Sequence, residues 1–84
     1  MNICFLIGKI VKNIEFKFIL DDKNISIAYT SLILSNDSCI NIKGYNNLAD
    51  ILYARYNVND IVLIKGKLDE KMEIVINDIV KLWG

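Results

Sequence analysis

The sequence has no proline and no histidine, only two cysteines, and as many acidic as basic side chains over its 84 residues. Without histidine it lacks the commonest general base and the commonest nitrogen ligand for a metal. Cys4 and Cys39 are too few for a disulfide framework and form no Cys-x-x-Cys pair, so no metal site is expected, and both read as buried or half-buried thiols. No nucleophile stands beside a base, no phosphate loop is present, and the carboxylates are scattered through turns rather than paired. The expectation is a protein that is not an enzyme and needs no cofactor. A formal net charge of zero gives no global pull toward polyanions or anionic membranes, so any such binding must come from charge placement. The early apolar run Ile3 to Ile7 is far too short to span a bilayer and has no basic residue before it to make a signal peptide. That points to the cytoplasm and away from membranes. With no linker or low-complexity stretch, residues 1–84 read as one domain.

What is present is aliphatic. Hydrophobic residues make up 54% of the chain and mean hydropathy is +0.34, yet a chain this short withdraws only about 60 to 65% of its unfolded surface from water on folding. More apolar surface exists than one small core needs. Burying the remainder against a second copy is the simplest solution, which predicts a homo-oligomer, a dimer or tetramer.

The apolar segments are separated by short polar turns. A first strand is predicted from Asn2 to Lys12, bending near Asn13 and continuing from Glu15 to Leu20, up to the turn formers Asp21-Asp22-Lys23-Asn24. Ile25 to Leu34 reads as a second strand, and Asn36-Asp37-Ser38 turns into a third, Cys39 to Gly44, with period-two alternation. The period then changes. Leu48, Ile51, Leu52 and Arg55 fall at helical spacing, with Asn46 or Asn47 to cap the start and Asn57 to suit the end. Asn59-Asp60 opens a fourth strand, Ile61 to Leu68, and Asp69-Glu70-Lys71 turns into a fifth, Met72 to Leu82. Three strands, one short helix and two strands is the order of an all-β, five-stranded Greek-key barrel of the oligonucleotide/oligosaccharide-binding (OB) type. Gly8 and Gly66, inside strands, permit the sharp coiling at which a small barrel closes.

Particular stretches also resemble the bacterial single-stranded DNA-binding protein family. Leu6-Ile7-Gly8-Lys9-Ile10 looks like its first-strand glycine motif, and Asn13-Ile14-Glu15-Phe16-Lys17-Phe18 resembles the segment that follows, with Ile14 where proline is usual. Ala28 to Leu34 resembles the second strand, and Ile42-Lys43-Gly44 with Asn47-Leu48-Ala49 the passage into the helix. Tyr56 and Val58 through Leu68 look like the helix end, turn and fourth strand. The resemblance implies a sequence-independent binder of single-stranded DNA in replication, repair or recombination, with replication or repair proteins as further partners. Three departures mark a stripped-down relative. Asp37 and Lys43 stand where two base-stacking aromatics belong, the hairpin between strands four and five is short, and Lys81-Leu82-Trp83-Gly84 stands in place of the family's acidic C-terminal tail.

Binding single strands needs cations along the backbone track and flat side chains on which bases stack. Lys9, Lys12, Lys17, Lys43, Lys65 and Lys67 lie in or at the ends of strands, while most carboxylates fall in turns. These lysines are the predicted phosphate contacts, although strand lysines also blunt exposed edges. Tyr29, sharing a strand face with Ser31, is the first candidate for stacking and Tyr45 the second. Phe16 and Phe18 read as core or interface, Tyr53 and Tyr56 as helix packing. Leu63 and Val75 take outward parity if Val62, Ile64, Ile74 and Ile76 face the core. Outward apolar residues support the alternative function, a protein-interaction or replication-accessory module that has lost most DNA binding.

Overall fold

The computed structural model describes residues 2–20 and 23–84. Asp21 and Asp22 of the first expected turn lie outside the described residues. The elements are β1 (Ile3–Ile10), β2 (Glu15–Ile19), β3 (Ile25–Leu34), β4 (Cys39–Tyr45), α1 (Asn47–Arg55), β5 (Ile61–Leu68) and β6 (Ile74–Trp83). β1 and β2 are the two halves of the expected first strand. They part because β3 is long enough for two partners: its end pairs with β1 (Gly8 opposite Leu34, Ile10 opposite Leu32), its beginning with β2 (Phe16 opposite Ala28). Between the halves, the Thr30 hydroxyl donates to the Lys12 carbonyl at 2.6 Å and the Val11 N–H to the Ser31 carbonyl at 3.0 Å.

The sheet closes on itself. β1 pairs with β5, β5 with β6, β6 in parallel with β4, β4 with β3, and β3 returns to β1. The result is a mostly β, closed five-stranded barrel with one helix between β4 and β5, and β2 continues outward from its rim. Alternate strand positions point inward: Ile10, Ala28, Leu32, Ile42, Val62, Ile64, Ile74 and Ile76 are buried, and α1 adds Ala49 and Leu52. Each buried Ile or Leu contributes about 1.5 to 3 kcal/mol relative to exposure. The expected parity of β5 and β6 is therefore observed, with Leu63 and Val75 half-buried on the outside.

Two glycines fix the closure. A Cβ at Gly8 would stand 2.8 Å from the Ile33 carbonyl oxygen, where β1 crosses β3. A Cβ at Gly66 would overlap the Val75 carbonyl oxygen and lie 2.7 Å from Ile74 Cγ2. The β5–β6 register shifts between Lys65 and Gly66, and such a bulge sharpens the local twist.

Several expectations need correction. β6 starts at Ile74 instead of Met72, because Met72 adopts φ 63° and the Asp69 N–H bonds to the Glu73 carbonyl, extending the turn. Asn46 occupies the N-cap position without a side-chain cap; its amide oxygen accepts from the Ser26 N–H at 3.3 Å instead. The left-handed residue after α1 is Asn59, φ 80°, and not Asn57. Cys4 is half-buried as expected, but Cys39 is exposed, since it begins β4 on the outward parity. Among the described residues no helix is long and apolar enough to cross a membrane.

Candidate nucleic-acid interface

Outside the barrel, β3 and β4 present one continuous strip. Ile27, Tyr29 and Ser31 alternate with the inward Ala28, Thr30 and Leu32, and they face Tyr45, Lys43 and Asn41 respectively across the ladder; Ile27 and Tyr29 are half-buried and Ser31 is buried. Same-face partners on adjacent strands hold their Cβ atoms about 4.5 to 5.5 Å apart. The strip thus sets Tyr29 directly opposite Lys43, with Tyr45 two residues further along β4. Lys12, Asn13 and Glu15 of the bend into β2 border it, as do Lys71 and Glu73 of the β5–β6 turn. Together they enclose a groove of about 430 Å³.

The side chains within the groove are tied unequally. Lys17, exposed on β2, holds its ammonium 5.5 Å from the centroid of the half-buried Tyr29 ring, within cation–π range. Tyr45 is 39% exposed. The Ser31 hydroxyl donates to Asn41 Oδ1 at 2.7 Å. Lys43 is engaged most heavily, its Nζ lying 2.6 Å from Asp69 Oδ2 and 3.0 Å from Glu73 Oε1. The hydrogen bond to Asp69 first, and that to Glu73 second, hold the Lys43 ammonium above the usual lysine range. In return, the Lys43 hydrogen bond and then the Glu73 N–H hold the Asp69 carboxyl below its ordinary value.

Of the residues singled out in the sequence, Lys12, Tyr29, Lys43 and Tyr45 line this groove and Lys17 adjoins it. Lys9, Lys65 and Lys67 do not. They are exposed on β1 and β5, opposite Ile61, Phe5 and Ile3, on a wall that also carries the outward residues Ile7, Leu63 and Val80. Of the two readings of Phe16 and Phe18, core or interface, the core is excluded: both are exposed, because β2 runs beyond the barrel and all five of its residues meet solvent. Phe16 packs on Tyr53 with ring centroids 5.2 Å apart, but Tyr53 stays 58% exposed. Tyr56 does pack: it is buried, its hydroxyl donates to the Ile79 carbonyl at 3.4 Å, and burial pushes its pKa up.

Sequence reasoning did not single out Asn13, Asn41, Lys71 or Glu73. Asn41 carries a usable signal, since it shares the parity of Lys43 on β4. Lys71 and Glu73 carry none, because a tertiary approach brings the turn to β4.

The fold has close counterparts among solved structures. The SSB domain of a Synechococcus protein superposes with a TM-score of 0.83 at 24% identity, covering 94% of this chain and 93% of that one. Wild-type single-stranded DNA-binding protein from Thermus aquaticus gives 0.83 at 12% identity, covering 96% of this chain and 40% of that protein. The small single-stranded DNA-binding protein from Streptomyces coelicolor gives 0.75 at 13% identity, with 94% and 90% covered. No protein-family model matches the sequence, and neither does any curated protein. Over nearly its whole length the chain has the fold of the OB domains of single-stranded DNA-binding proteins, at low sequence identity.

Proposed function

We propose that this protein is a non-enzymatic, cytoplasmic binder of single-stranded DNA that acts as a homo-oligomer in replication, repair or recombination. The observation that carries the reading is the β3–β4 groove, where Tyr29 and Tyr45 stand beside Lys12, Lys17 and Lys71 on a barrel whose structural neighbours bind single strands. Bases stack on the two tyrosines, which accept any base because every base has a π-face. The ammonium groups of Lys12, Lys17 and Lys71 meet the phosphates, and Asn13 and Asn41 offer amides to sugar or base edges. Lys9, Lys65 and Lys67 serve as secondary contacts for a longer strand leaving the groove. Two tyrosines and a charge-balanced rim give modest affinity without sequence preference.

The β1–β5–β6 wall supports the oligomer. Phe5, Ile7, Val80 and Trp83 are 67%, 57%, 50% and 70% exposed. β1 pairs with β3 only from Gly8 onward, so among the described residues Ile3 to Ile7 pair on one side only, with β5. An apolar face with an unpaired edge is a template for a second copy. The same wall favours a second reading, a protein-interaction or replication-accessory module, and the capture of Lys43 by two carboxylates weakens the groove in that direction.

The test is fluorescence-anisotropy titration of labelled oligo-dT at low and physiological salt, with duplex of equal length as control. Salt-sensitive binding confined to the single strand supports the leading reading. Absence of binding at low salt overturns it and favours the interaction module.

A further inference from the structure

The lysine at the centre of the groove is already occupied. Lys43 sits between its two ladder partners, Tyr29 on β3 and Val75 on β6, and its side chain is only 14% exposed. The carboxylates of Asp69 and Glu73, 24% and 29% exposed, surround the ammonium. Both come from the β5–β6 turn, and neither is positioned by chance. Asp69 Oδ1 accepts the N–H groups of Lys71 at 2.9 Å and Glu73 at 3.0 Å, which locks the turn around that carboxylate. Glu73 Oε2 lies 3.5 Å from Asn41 Nδ2, on the same outward row of β4 as Lys43. Two anionic oxygens at hydrogen-bonding distance from one ammonium reproduce what a backbone phosphate would offer it.

We propose that the β5–β6 turn is a built-in competitor for the strand: Asp69 and Glu73 occupy Lys43 in place of a phosphate and thereby set the affinity of the groove. This rests on the groove being a single-strand site. A phosphate reaches Lys43 only by displacing the carboxylates, whose own charges repel it. The parent protein therefore binds through its peripheral lysines, with a salt dependence shallower by one phosphate contact than that of a variant whose Lys43 is free. Releasing Lys43 adds one phosphate contact at the centre of the strip, directly beside both tyrosines.

The experiment compares the parent with Glu73→Gln and with the double variant Asp69→Asn/Glu73→Gln, using labelled oligo-dT over a series of salt concentrations. Among the described residues the Glu73 side chain makes its hydrogen bonds to Lys43 and Asn41 and none to the turn backbone, so the Glu73→Gln change leaves the turn in place, and the Asp69→Asn change keeps a side-chain oxygen for the turn N–H groups. Should the double variant fail to fold, as judged by circular dichroism, Glu73→Gln alone decides. Two controls separate release of Lys43 from a simple change of net charge. Glu70→Gln removes one charge from an exposed position of the same turn, and Lys43→Ala is placed in the Glu73→Gln background. The expected gain is about 3-fold in affinity for Glu73→Gln and about 10-fold for the double variant, the size of a partly exposed ion pair or two. The slope of log K against log salt should steepen by about 0.7, one further phosphate on a single strand. Glu70→Gln should gain less, and Lys43→Ala should abolish the gain. Folded Glu73→Gln that binds no tighter than a parent that does bind overturns the competitor alone. If neither the parent nor the released variants bind at low salt, the single-strand reading falls and the competitor with it.

Discussion

Replacing Gly66 with alanine tests the geometry that brings the β5–β6 turn over the groove. The added methyl would overlap the Val75 carbonyl oxygen and press on Ile74 Cγ2 at 2.7 Å, and Ile74 is itself 1% exposed. Neither neighbour is a flexible chain end. Relief requires opening the β5–β6 ladder at its bulge, so the cost lies at the upper end of overpacking, about 3 kcal/mol. Alanine narrows the unfolded ensemble and returns about 0.4 to 1 kcal/mol, leaving a net loss of about 2 kcal/mol. A chain of this length commands a total stability of about 4 to 13 kcal/mol, and each kcal/mol moves the melting temperature of a small domain by about 4 to 8 °C. Urea denaturation of Gly66→Ala should show the lost stability at an unchanged m-value, with Tm lower by about 10 °C. Parental stability would refute the close approach and the bulge with it.

Other outcomes follow from the same structure. Among the described residues Asn24, Asp37, Asn46 and Asn59 take four of the five positive-φ positions held by non-glycine residues, and Met72 takes the fifth at 63°; since asparagine tolerates that region better, Met72→Asn should stabilise the fold by about 0.5 to 1 kcal/mol in thermal denaturation. Asp69 has its pKa depressed by Lys43 and the turn N–H groups, so its stabilisation is complete above the ordinary carboxylate range and is lost as pH falls through the depressed value. The stability difference between the parent and Asp69→Asn should therefore hold from about pH 7 to pH 5 and close below about pH 4. Tyr29→Ala, if it folds as the parent does, should weaken oligo-dT binding by about 1 to 3 kcal/mol, roughly 5- to 150-fold, in anisotropy titrations.

The barrel was legible in the sequence because its signals are local. Alternation marks Cys39 to Gly44 and Ile61 to Leu68, Asn and Asp punctuate most turns, and helical spacing of Leu48, Ile51 and Leu52 interrupts the strands once. Half of the groove was legible for the same reason: Tyr29 and Lys43 sit on outward parities that period-two reading assigns. What escaped depends on tertiary placement. Alternation in β2 assigns Phe16 and Phe18 to one face but cannot show that β2 runs past the barrel, which leaves both faces wet. Nothing local to Lys43 shows that a turn about thirty residues later brings two carboxylates onto it. The lysines of β1 and β5 share a residue type with Lys12 and Lys17, yet barrel closure places them on another wall.

The most direct test of the account is chemical-shift mapping of the labelled protein titrated with oligo-dT. With an oligonucleotide long enough only for the groove, amide shifts should concentrate at Lys12, Tyr29, Asn41, Lys43, Tyr45 and Lys71, with Phe5, Ile7, Leu63 and Val80 unmoved. Shifts confined to the β1–β5–β6 wall, or none at saturating oligonucleotide, would contradict it.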